Sequence, residues 1–481
     1  MITLVDGGPG AGKTEALIGV VEDALARGVR PDRVAYWAFS RAAAREARSR
    51  AMAKFGLAED DLPHFRTIHS HCYRALGIRR DEVVSDAALA EFAEIVGEQG
   101  TWSARESSTV PADGLLGVFD YARATAKPLR DAWEEHGGDL DWFRLDRFAR
   151  SYDAWKAGEG LLDFGDMLSR YVERGAPLDV DVTIVDEVQD LSPLQWAVVD
   201  RATAGVELWI GGDEDQAIHR WAGADPGRLL AHGGATVVLQ ASHRLPKAVF
   251  AVAAGILSRI EVRRDKPMGP HPDAPEGAVE WASRVDEVDL SSGSWLLLAR
   301  TRHQLKALAA AARAAGTHYS LSGVDAVDEK VVRAIRAWEA LRAGKTVLGD
   351  DAARALAALG RDVDLDPSGE FDADDLDLPS PLPLWHDALT AIPLDEREFY
   401  LACLRRGEKL VGPPRVRVET IHGAKGLEAD KVLLVTALTP RVRRGLALDP
   451  DAEARVFYVG ATRARRELFL VASPDGRGFR I

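Results

Sequence analysis

Cysteine and long apolar runs are what this 481-residue chain most clearly lacks. Its two cysteines, Cys72 and Cys403, cannot form a disulfide framework, which favours a reducing compartment. No run of 18 apolar residues occurs, so no membrane-spanning helix is predicted. Met1 leads directly into an apolar strand and leaves no room for a signal peptide. These absences predict a soluble cytoplasmic protein without a membrane partner.

Positive charge is also scarce, because 61 Lys and Arg face 75 Asp and Glu and the net charge is −14. The basic excess that usually marks a nucleic-acid-binding protein is therefore missing. However, residues 362–398 hold twelve acidic residues against one Arg, a balance of −11, so the other residues together carry only −3. A groove that holds a single strand by stacking and local basic residues needs no basic protein overall. Nucleic acid therefore remains a possible partner.

An acidic pair follows a buried strand in the middle of the chain, in the stretch Thr183–Asp190. The apolar, β-branched residues before Asp186 predict a strand of a parallel sheet. Ligands bind at the carboxyl edge of such sheets. Asp186 and Glu187 are adjacent and point in different directions, so one can hold a divalent metal while the other polarises water. An acidic turn without function is the alternative for this stretch taken alone.

A glycine-rich loop near the start of the chain fits the pattern G-x-x-x-x-G-K-[ST]. Its residues are Gly7, Gly8, Pro9, Gly10, Ala11, Gly12, Lys13 and Thr14. It follows a predicted strand, Ile2 to Val5, and precedes a helical pattern that begins at Glu15. Backbone N–H groups of such a loop surround phosphate oxygens at a helix N-terminus, while Lys13 reaches the β- and γ-phosphates and Thr14 holds Mg²⁺. Together with the acidic pair, the loop predicts hydrolysis of a nucleoside triphosphate.

Strands alternate with helices over most of the chain, which predicts an α/β protein of two large domains. Two stretches depart from this alternation. Residues 77–160 are helical in pattern and rich in Trp, and 324–415 combine a helix with the acidic stretch Asp362–Asp377 and a Pro-rich segment. We therefore expect two helical insertions, and a solvated or disordered surface at the acidic stretch.

Several polar and aromatic residues at strand ends have two interpretations. Phe39 is either a core residue or an exposed ring for base stacking, and His69 is either a packing or capping residue or a functional one. Gln216, which follows the strand Leu208–Asp213, is either a sensor of the terminal phosphate or an ordinary loop residue. Spacing alone does not separate these alternatives.

Eight ordered blocks resemble the motifs of superfamily 1 DNA helicases of the UvrD/Rep/PcrA group. They read GGPGAGKT, TIHS, LLDFGDML, VDEVQD, GDEDQAIHRWAGAD, SHR, ETIHGAKGLE and YVGATRAR. The resemblance implies two RecA-like P-loop NTPase motor domains with parallel sheets, each with a mostly helical insertion. It gives 1–76 with 161–240 as the first motor domain, 77–160 as its insertion, 241–323 with 416–481 as the second, and 324–415 as a short acidic and Pro-rich insertion. So short a second insertion is typical of a compact, phage-like form.

The resemblance also implies roles for individual residues. The implied catalytic residues are Lys13, Glu187, Gln216 and the arginine fingers Arg244 and Arg463 of the second domain. The implied nucleotide contacts come from the loop, His243 and Glu428, and Thr14 and Asp186 would hold Mg²⁺. The implied DNA contacts are Phe39, His69, His219, Trp221 and His422. The implied activity is an ATP-dependent DNA helicase that moves 3′ to 5′ on single-stranded DNA and at junctions with duplex DNA, with replication or repair proteins as partners. The alternatives are a translocase that strips bound proteins, and an ATP-gated DNA-binding switch.

Three departures from the family pattern affect the site. His219 stands in place of a tyrosine and Ala222 in place of an arginine, so coupling between ATP and DNA is expected to differ. His243 stands where the family has an aromatic residue that stacks on adenine. A glutamine that reads adenine upstream of the loop has no counterpart in the six residues before Gly7, which predicts weak selectivity for the base.

Overall fold

The computed structural model describes residues 2–98 and 114–481. The chain folds into two compact units, each packed mainly against itself. The first comprises Met1–Arg244 and Leu257–Ala274, and the second comprises Leu245–Ile256 and Pro275–Ile481. In the described ranges, no helix is long and apolar enough to cross a bilayer.

The first unit is built on a sheet of six strands, all paired in parallel. The strands are β1 (Ile2–Gly7), β2 (Val34–Ala38), β3 (Phe65–Thr67), β4 (Val182–Val185), β5 (Glu207–Gly212) and β6 (Ala235–Leu239). Their order across the sheet is β3-β2-β4-β5-β1-β6. A short parallel pair follows, β7 (Ala241–Ser242) with β8 (Gly269–Pro270). The loop after β1 and the acidic pair after β4 therefore lie at one edge, separated by β5.

Both faces of this sheet are covered by helices. Successive residues of each strand point to opposite faces and therefore pack in different cores. Leu4 packs in one core and its neighbour Val5 in the other. The helices associated with these cores are α1 (Lys13–Ala26), α2 (Arg41–Phe55) and α3 (Ile68–Ala75), and, after the insertion, α8 (Phe164–Arg174), α9 (Pro193–Ala202) and α10 (Gly227–Leu230). This burial explains why the strands are almost continuously apolar.

Four helices lie in the described part of the predicted insertion 77–160. Its helices are α4 (Asp86–Val96), α5 (Leu115–Ala124), α6 (Leu129–His136) and α7 (Trp142–Glu159). They bury a core of their own in which Phe92, Phe148 and Tyr152 are in ring contact. Residues 99–113 of the predicted insertion lie outside the described residues.

The second unit contains a seven-stranded sheet in the order β12-β11-β15-β10-β16-β17-β9. Its strands are β9 (Ala278–Ala282), β10 (Trp295–Ala299), β11 (Tyr319–Leu321), β12 (Val324–Asp325), β15 (Val416–Thr420), β16 (Ala429–Val435) and β17 (Ala464–Val471), with β13 (Val347–Leu348) and β14 (Glu370–Phe371) as a separate antiparallel pair. Its helices are α11 (Lys247–Leu257), α12 (Arg302–Ala314), α13 (Glu329–Arg342), α14 (Gly349–Leu359), α15 (Trp385–Ala388), α16 (Leu394–Arg405), α17 (Pro440–Leu448) and α18 (Pro450–Ala461). The seven-stranded sheet is parallel except for the edge pair β11 and β12. Two α/β units with parallel sheets confirm the predicted fold class, that of two RecA-like motor domains.

The acidic stretch is ordered and most of its acidic side chains are exposed, so the predicted solvated surface is found and the disordered alternative is not. Glu370 and Phe371 form β14, and Leu376 is buried in the same core as Leu297 of the central strand β10. Aspartates such as Asp374 and Asp375 face solvent between these apolar residues. Charge density alone suggested a disordered surface, whereas the interspersed apolar side chains supply enough burial to order the stretch.

Candidate functional site

The glycine-rich loop lies between β1 and α1, as predicted. Gly12 begins the helix at φ 86°, and a Cβ there would meet no atom within 4 Å. The left-handed backbone, rather than lack of space, therefore calls for glycine. Lys13 is buried, and its Nζ donates to the carbonyl oxygen of Gly7 at 2.8 Å. The Lys13 ammonium is thus held inside the loop. A bound phosphate oxygen could replace the Gly7 carbonyl oxygen as its hydrogen-bond acceptor.

Asp186 lies across the sheet edge from this loop. Its Oδ2 accepts from Tyr36 Oη at 2.8 Å and from Thr14 Oγ1 at 3.4 Å. Burial, and then the neighbouring Glu187, raises the pKa of Asp186 to about 6. A bound cation would stabilise the charged form of this buried carboxylate. The hydroxyl oxygen of Thr14 lies close enough to be a second ligand. Oxygen donors of this type fit a divalent metal such as Mg²⁺.

Glu187 turns away from Asp186 because its backbone adopts φ 55°, which is rare for a residue with a side chain. The Glu187 carboxylate accepts from Gln189 Nε2, whereas its own N–H donates to Asp186 Oδ1 at 2.8 Å. Uncommon backbone of this sort is concentrated at functional sites. The two adjacent carboxylates therefore have separate partners, as the sequence predicted.

Gln216 is buried and belongs to a hydrogen-bonded chain that reaches Glu187. Its Nε2 donates to Asp213 Oδ2 at 2.6 Å. The Asp213 N–H donates to Gln189 Oε1 at 3.1 Å, and Gln189 in turn contacts Glu187. These contacts tie Gln216 to the acidic pair, and its role as a sensor of the terminal phosphate stays a prediction.

His243 and Arg244 lie against the glycine-rich loop, within the first compact unit. His243 N–H donates to Gly10 O at 2.9 Å, and Ser242 Oγ donates to Pro9 O at 2.7 Å. A Cβ on Gly10 would lie 2.3 Å from Arg244 Cβ, so glycine is needed for this approach. The sequence assigned 241–244 to the second domain. Hydrogen bonds to the loop join residues more than 230 positions apart, so 241–244 pack with the first unit, while the predicted domain boundary stays a prediction.

The other predicted nucleotide and arginine-finger residues belong to the second unit. Arg463 is 2% exposed, and its Nε donates to Val459 O at 2.9 Å at the end of α18. Glu428 forms an ion pair with Arg465, and His422 is half-buried just after β15. Their predicted roles remain predictions.

Three of the predicted DNA-contacting rings form a row in the first unit. The ring centroids of Phe39 and His219 are 5.7 Å apart and stacked, and those of His219 and Trp221 are 5.9 Å apart. Phe39 and Trp221 are half-buried, whereas His69 is buried and packs edge-on against Phe164. Phe39 also packs against the core of the first unit, so both alternatives for this ring stay open.

A basic cavity of about 710 Å³ opens beside His69. The arginines that line it are Arg41, Arg45, Arg48, Arg66, Arg74 and Arg80, with Glu59 and Asp60 as acidic neighbours. Burial, followed by Arg74 and Arg48, lowers the pKa of Arg66 to about 10. Such crowding of like charges in an acidic protein indicates a place for an anionic ligand.

Sequence reasoning missed Tyr36, Gln189, Asp213 and Lys266, all of which contact the predicted site directly or through one residue. A tyrosine inside an otherwise apolar strand was a usable signal, because a buried hydroxyl needs a partner. Lys266 gave no signal, because its stretch carries no recognised pattern.

Comparison with known proteins agrees with this geometry. The model of the UvrD/REP helicase N-terminal domain matches residues 2–234, and that of the UvrD-like helicase C-terminal domain matches 401–474. The chain is 28% identical to the ATP-dependent DNA helicase UvrD2 of Mycobacterium tuberculosis, over 98% of this chain and 77% of that protein. It is 25% identical to the ATP-dependent DNA helicase PcrA of Bacillus subtilis, over 55% of this chain and 38% of that protein. It is 27% identical to the RecBCD enzyme subunit RecB of Mycolicibacterium smegmatis, over 46% of this chain and 26% of that protein.

Proposed function

The chain belongs to the UvrD-like family of superfamily 1 helicases, and on that premise we propose that it moves 3′ to 5′ on single-stranded DNA and unwinds duplex DNA ahead of it. Membership of this family makes it an ATP-dependent DNA helicase. The observation that carries the proposal is the meeting of the phosphate loop, Asp186 and Glu187 at one sheet edge, with Gln216 tied to the same network. Replication, repair or recombination is the proposed setting.

In the proposed hydrolysis, Lys13 contacts the β- and γ-phosphates and Glu187 accepts a proton from the attacking water. The separate partners of Glu187 and Asp186 support this division of roles. Gln216 senses the terminal phosphate. Arg244, which already lies at the loop, and Arg463 stabilise negative charge that develops on the transferred phosphoryl group.

Mg²⁺ is the proposed cofactor, held by Thr14 and Asp186. A metal held by these two residues would supply positive charge that offsets the charge of the phosphates. Tyr36 donates to the same Asp186 oxygen and orients the carboxylate. His243 is proposed to pack on the base and Glu428 to contact the ribose.

Single-stranded DNA is the proposed track, with stacking on Phe39, His219 and Trp221 and further contacts from His69 and His422. Stacking on rings is worth about 1–3 kcal/mol per base and tolerates any sequence. The arginine-lined cavity beside His69 can hold backbone phosphates. Local basic residues thus offset a net charge of −14.

The two alternatives are a translocase that removes proteins from a single strand with little unwinding, and a switch that uses ATP only to change DNA affinity. The strained Glu187 and its organised partners favour hydrolysis over the pure switch. The proposed motor domains are 1–76 with 161–240 and 241–323 with 416–481. Residues 77–160 and 324–415 are the proposed insertions.

One experiment separates these functions. Unwinding of a duplex with a 3′ single-stranded tail is measured beside DNA-stimulated ATP hydrolysis, with a 5′-tailed duplex for direction and a biotin–streptavidin block for protein removal. We expect hydrolysis and unwinding with the 3′ tail and none with Lys13→Ala. Unwinding of the 5′-tailed duplex alone would show movement from 5′ to 3′. Displacement of streptavidin without unwinding would favour the translocase that strips proteins. ATP-dependent affinity changes without turnover would favour the switch.

A further inference from the structure

A buried charge cluster lies beside the phosphate loop, at the carboxyl ends of β1 and β5. Its acids are Asp6, Asp213, Glu214 and Asp215, none more than 1% exposed. Lys266 reaches into them from the segment Leu257–Ala274 of the first unit. Its Nζ lies 2.6 Å from Asp213 Oδ1, 3.1 Å from Glu214 Oε2 and 3.3 Å from Asp6 Oδ1.

The Lys266 ammonium supplies the positive charge that these buried carboxylates need. Asp6, Asp213 and Glu214 bring oxygens within 4.8 Å of one another, an arrangement that could also hold a metal ion. An ammonium has three donors, and each of these three carboxylates accepts one of them. Without that charge, buried carboxylates at this spacing would repel one another or take up protons. Lys266 therefore holds the cluster together.

Two arginines complete the cluster at its outer side. The Arg263 guanidinium forms an ion pair with Asp215 at 2.8 Å. The backbone N–H of Arg264 donates to Glu214 Oε1 at 3.0 Å. In the described part of the chain, Lys266 alone forms an ion pair with Asp213. Asp213 Oδ1 also accepts from the backbone N–H of Asp215 at 3.2 Å, so Lys266 supplies the charged contact and the backbone a neutral one in orienting that carboxylate.

Asp213 connects this lysine to the hydrolytic site. Lys266 holds Asp213 Oδ1, while Asp213 Oδ2 accepts from the Gln216 amide. The Asp213 backbone N–H holds Gln189, which contacts Glu187. Networks of this kind are cooperative, so the position of one member affects the others.

We propose that Lys266 is a positioning residue for ATP hydrolysis: it fixes the Asp213 carboxylate and thereby orients Gln216 and, through Gln189, Glu187. The inference rests on the proposed roles of Gln216 and Glu187. A positioning role predicts lower turnover with nearly unchanged ATP binding, because the lysine contacts neither the loop nor the nucleotide site directly.

The test uses a charge-balanced variant of the full chain, Lys266→Met with Glu214→Gln, which removes one positive and one negative charge together. Glu214→Gln alone is its matched comparison, because the contact of Lys266 with Asp213 remains there. The exposed Lys330→Met controls for the substitution type. Circular dichroism melting and binding of a fluorescent ATP analogue check folding and affinity.

Relative to Glu214→Gln, we expect the double variant to lose about 10²-fold in DNA-stimulated kcat, the scale of a slightly misplaced catalytic group. The KM for ATP should stay within about threefold, since only the catalytic step is affected. Adding Gln216→Ala should then cost less than about threefold more, because coupled residues are not additive. An unchanged kcat in the folded variant, a rise in KM that matches the fall in kcat, or a full multiplicative loss with Gln216→Ala would each overturn the proposal.

If the double variant does not fold, Asp213→Asn gives a second test. Asparagine keeps one acceptor oxygen for Lys266 and places an NH₂ group against the Gln216 NH₂ group, so the bond to Gln216 is lost in the present orientation of that amide and the negative charge that pairs with Lys266 is removed. The same loss of kcat and the same lack of additivity with Gln216→Ala are expected, and their absence would overturn the inference. Failure of the wild-type chain to hydrolyse ATP with DNA would instead contradict the proposed function.

Discussion

Glu187→Gln tests the assignment of the hydrolytic base most directly. Glutamine preserves the length and shape of the side chain and removes its ability to accept a proton. Its amide oxygen can still accept from Gln189, so the contact between these two residues can survive. The substitution also removes the charge that raises the pKa of Asp186, so the metal-binding carboxylate loses a repulsive neighbour.

The expected magnitude follows from these contacts. Loss of a general base costs about 10²–10⁴-fold in rate. At 1.36 kcal/mol per tenfold, that is about 2.7–5.5 kcal/mol of activation free energy. The thermal midpoint should stay equal or rise, because repulsion between two adjacent carboxylates is relieved. ATP and DNA affinities should be unchanged, because the substitution alters neither Lys13 nor the rings of Phe39, His219 and Trp221.

Single-turnover ATP hydrolysis with saturating single-stranded DNA measures the effect, and a fluorescent ATP analogue measures binding. Glu173→Gln, an exposed position on α8, is the matched control and should behave as wild type. A kcat within about tenfold of wild type in folded Glu187→Gln would refute the reasoning, because a lost general base costs more than that. The base would then have to lie elsewhere at the sheet edge.

Three further predictions address other parts of the chain. Arg244→Ala and Arg463→Ala should each lower kcat by about 10³-fold, the arginine-finger range, with the fold retained; normal turnover in either folded variant would make that arginine structural. Tyr36→Phe removes the hydrogen bond to Asp186 and should raise the Mg²⁺ concentration for half-maximal ATPase by about 10–100-fold, the effect of losing a partner of a metal ligand; an unchanged Mg²⁺ titration would contradict the metal assignment. Burial lowers the pKa of His71 from 6.5 to about 3, so the unfolded state takes up a proton first as pH falls, and at pH 5.5 this costs about 1.4 kcal/mol of folding stability. His71→Leu should therefore flatten the loss of unfolding free energy between pH 7.5 and 5.5, measured by urea titration, and an unchanged slope would rule this origin out.

The local patterns predicted the phosphate loop and the acidic pair but not the residues that contact them. A glycine-rich loop between a strand and a helix, and two carboxylates after a buried strand, use backbone rules that act over a few residues. These rules gave the loop, Asp186, Glu187 and the helical insertion. At Asp362–Asp377 they predicted the solvated acidic side chains but not the buried apolar residues that order the stretch.

Short-range patterns identify the individual elements, and the order of the motifs identifies the family. The distant residues that complete the site are known from the three-dimensional packing alone. Strand order places β5 between β1 and β4, hydrogen bonds bring His243 to Gly10, and Lys266 lies among acids up to 260 residues away. Parallel sheets join strands through long crossovers, so the neighbours at a sheet edge depend on topology and packing, which no local pattern records.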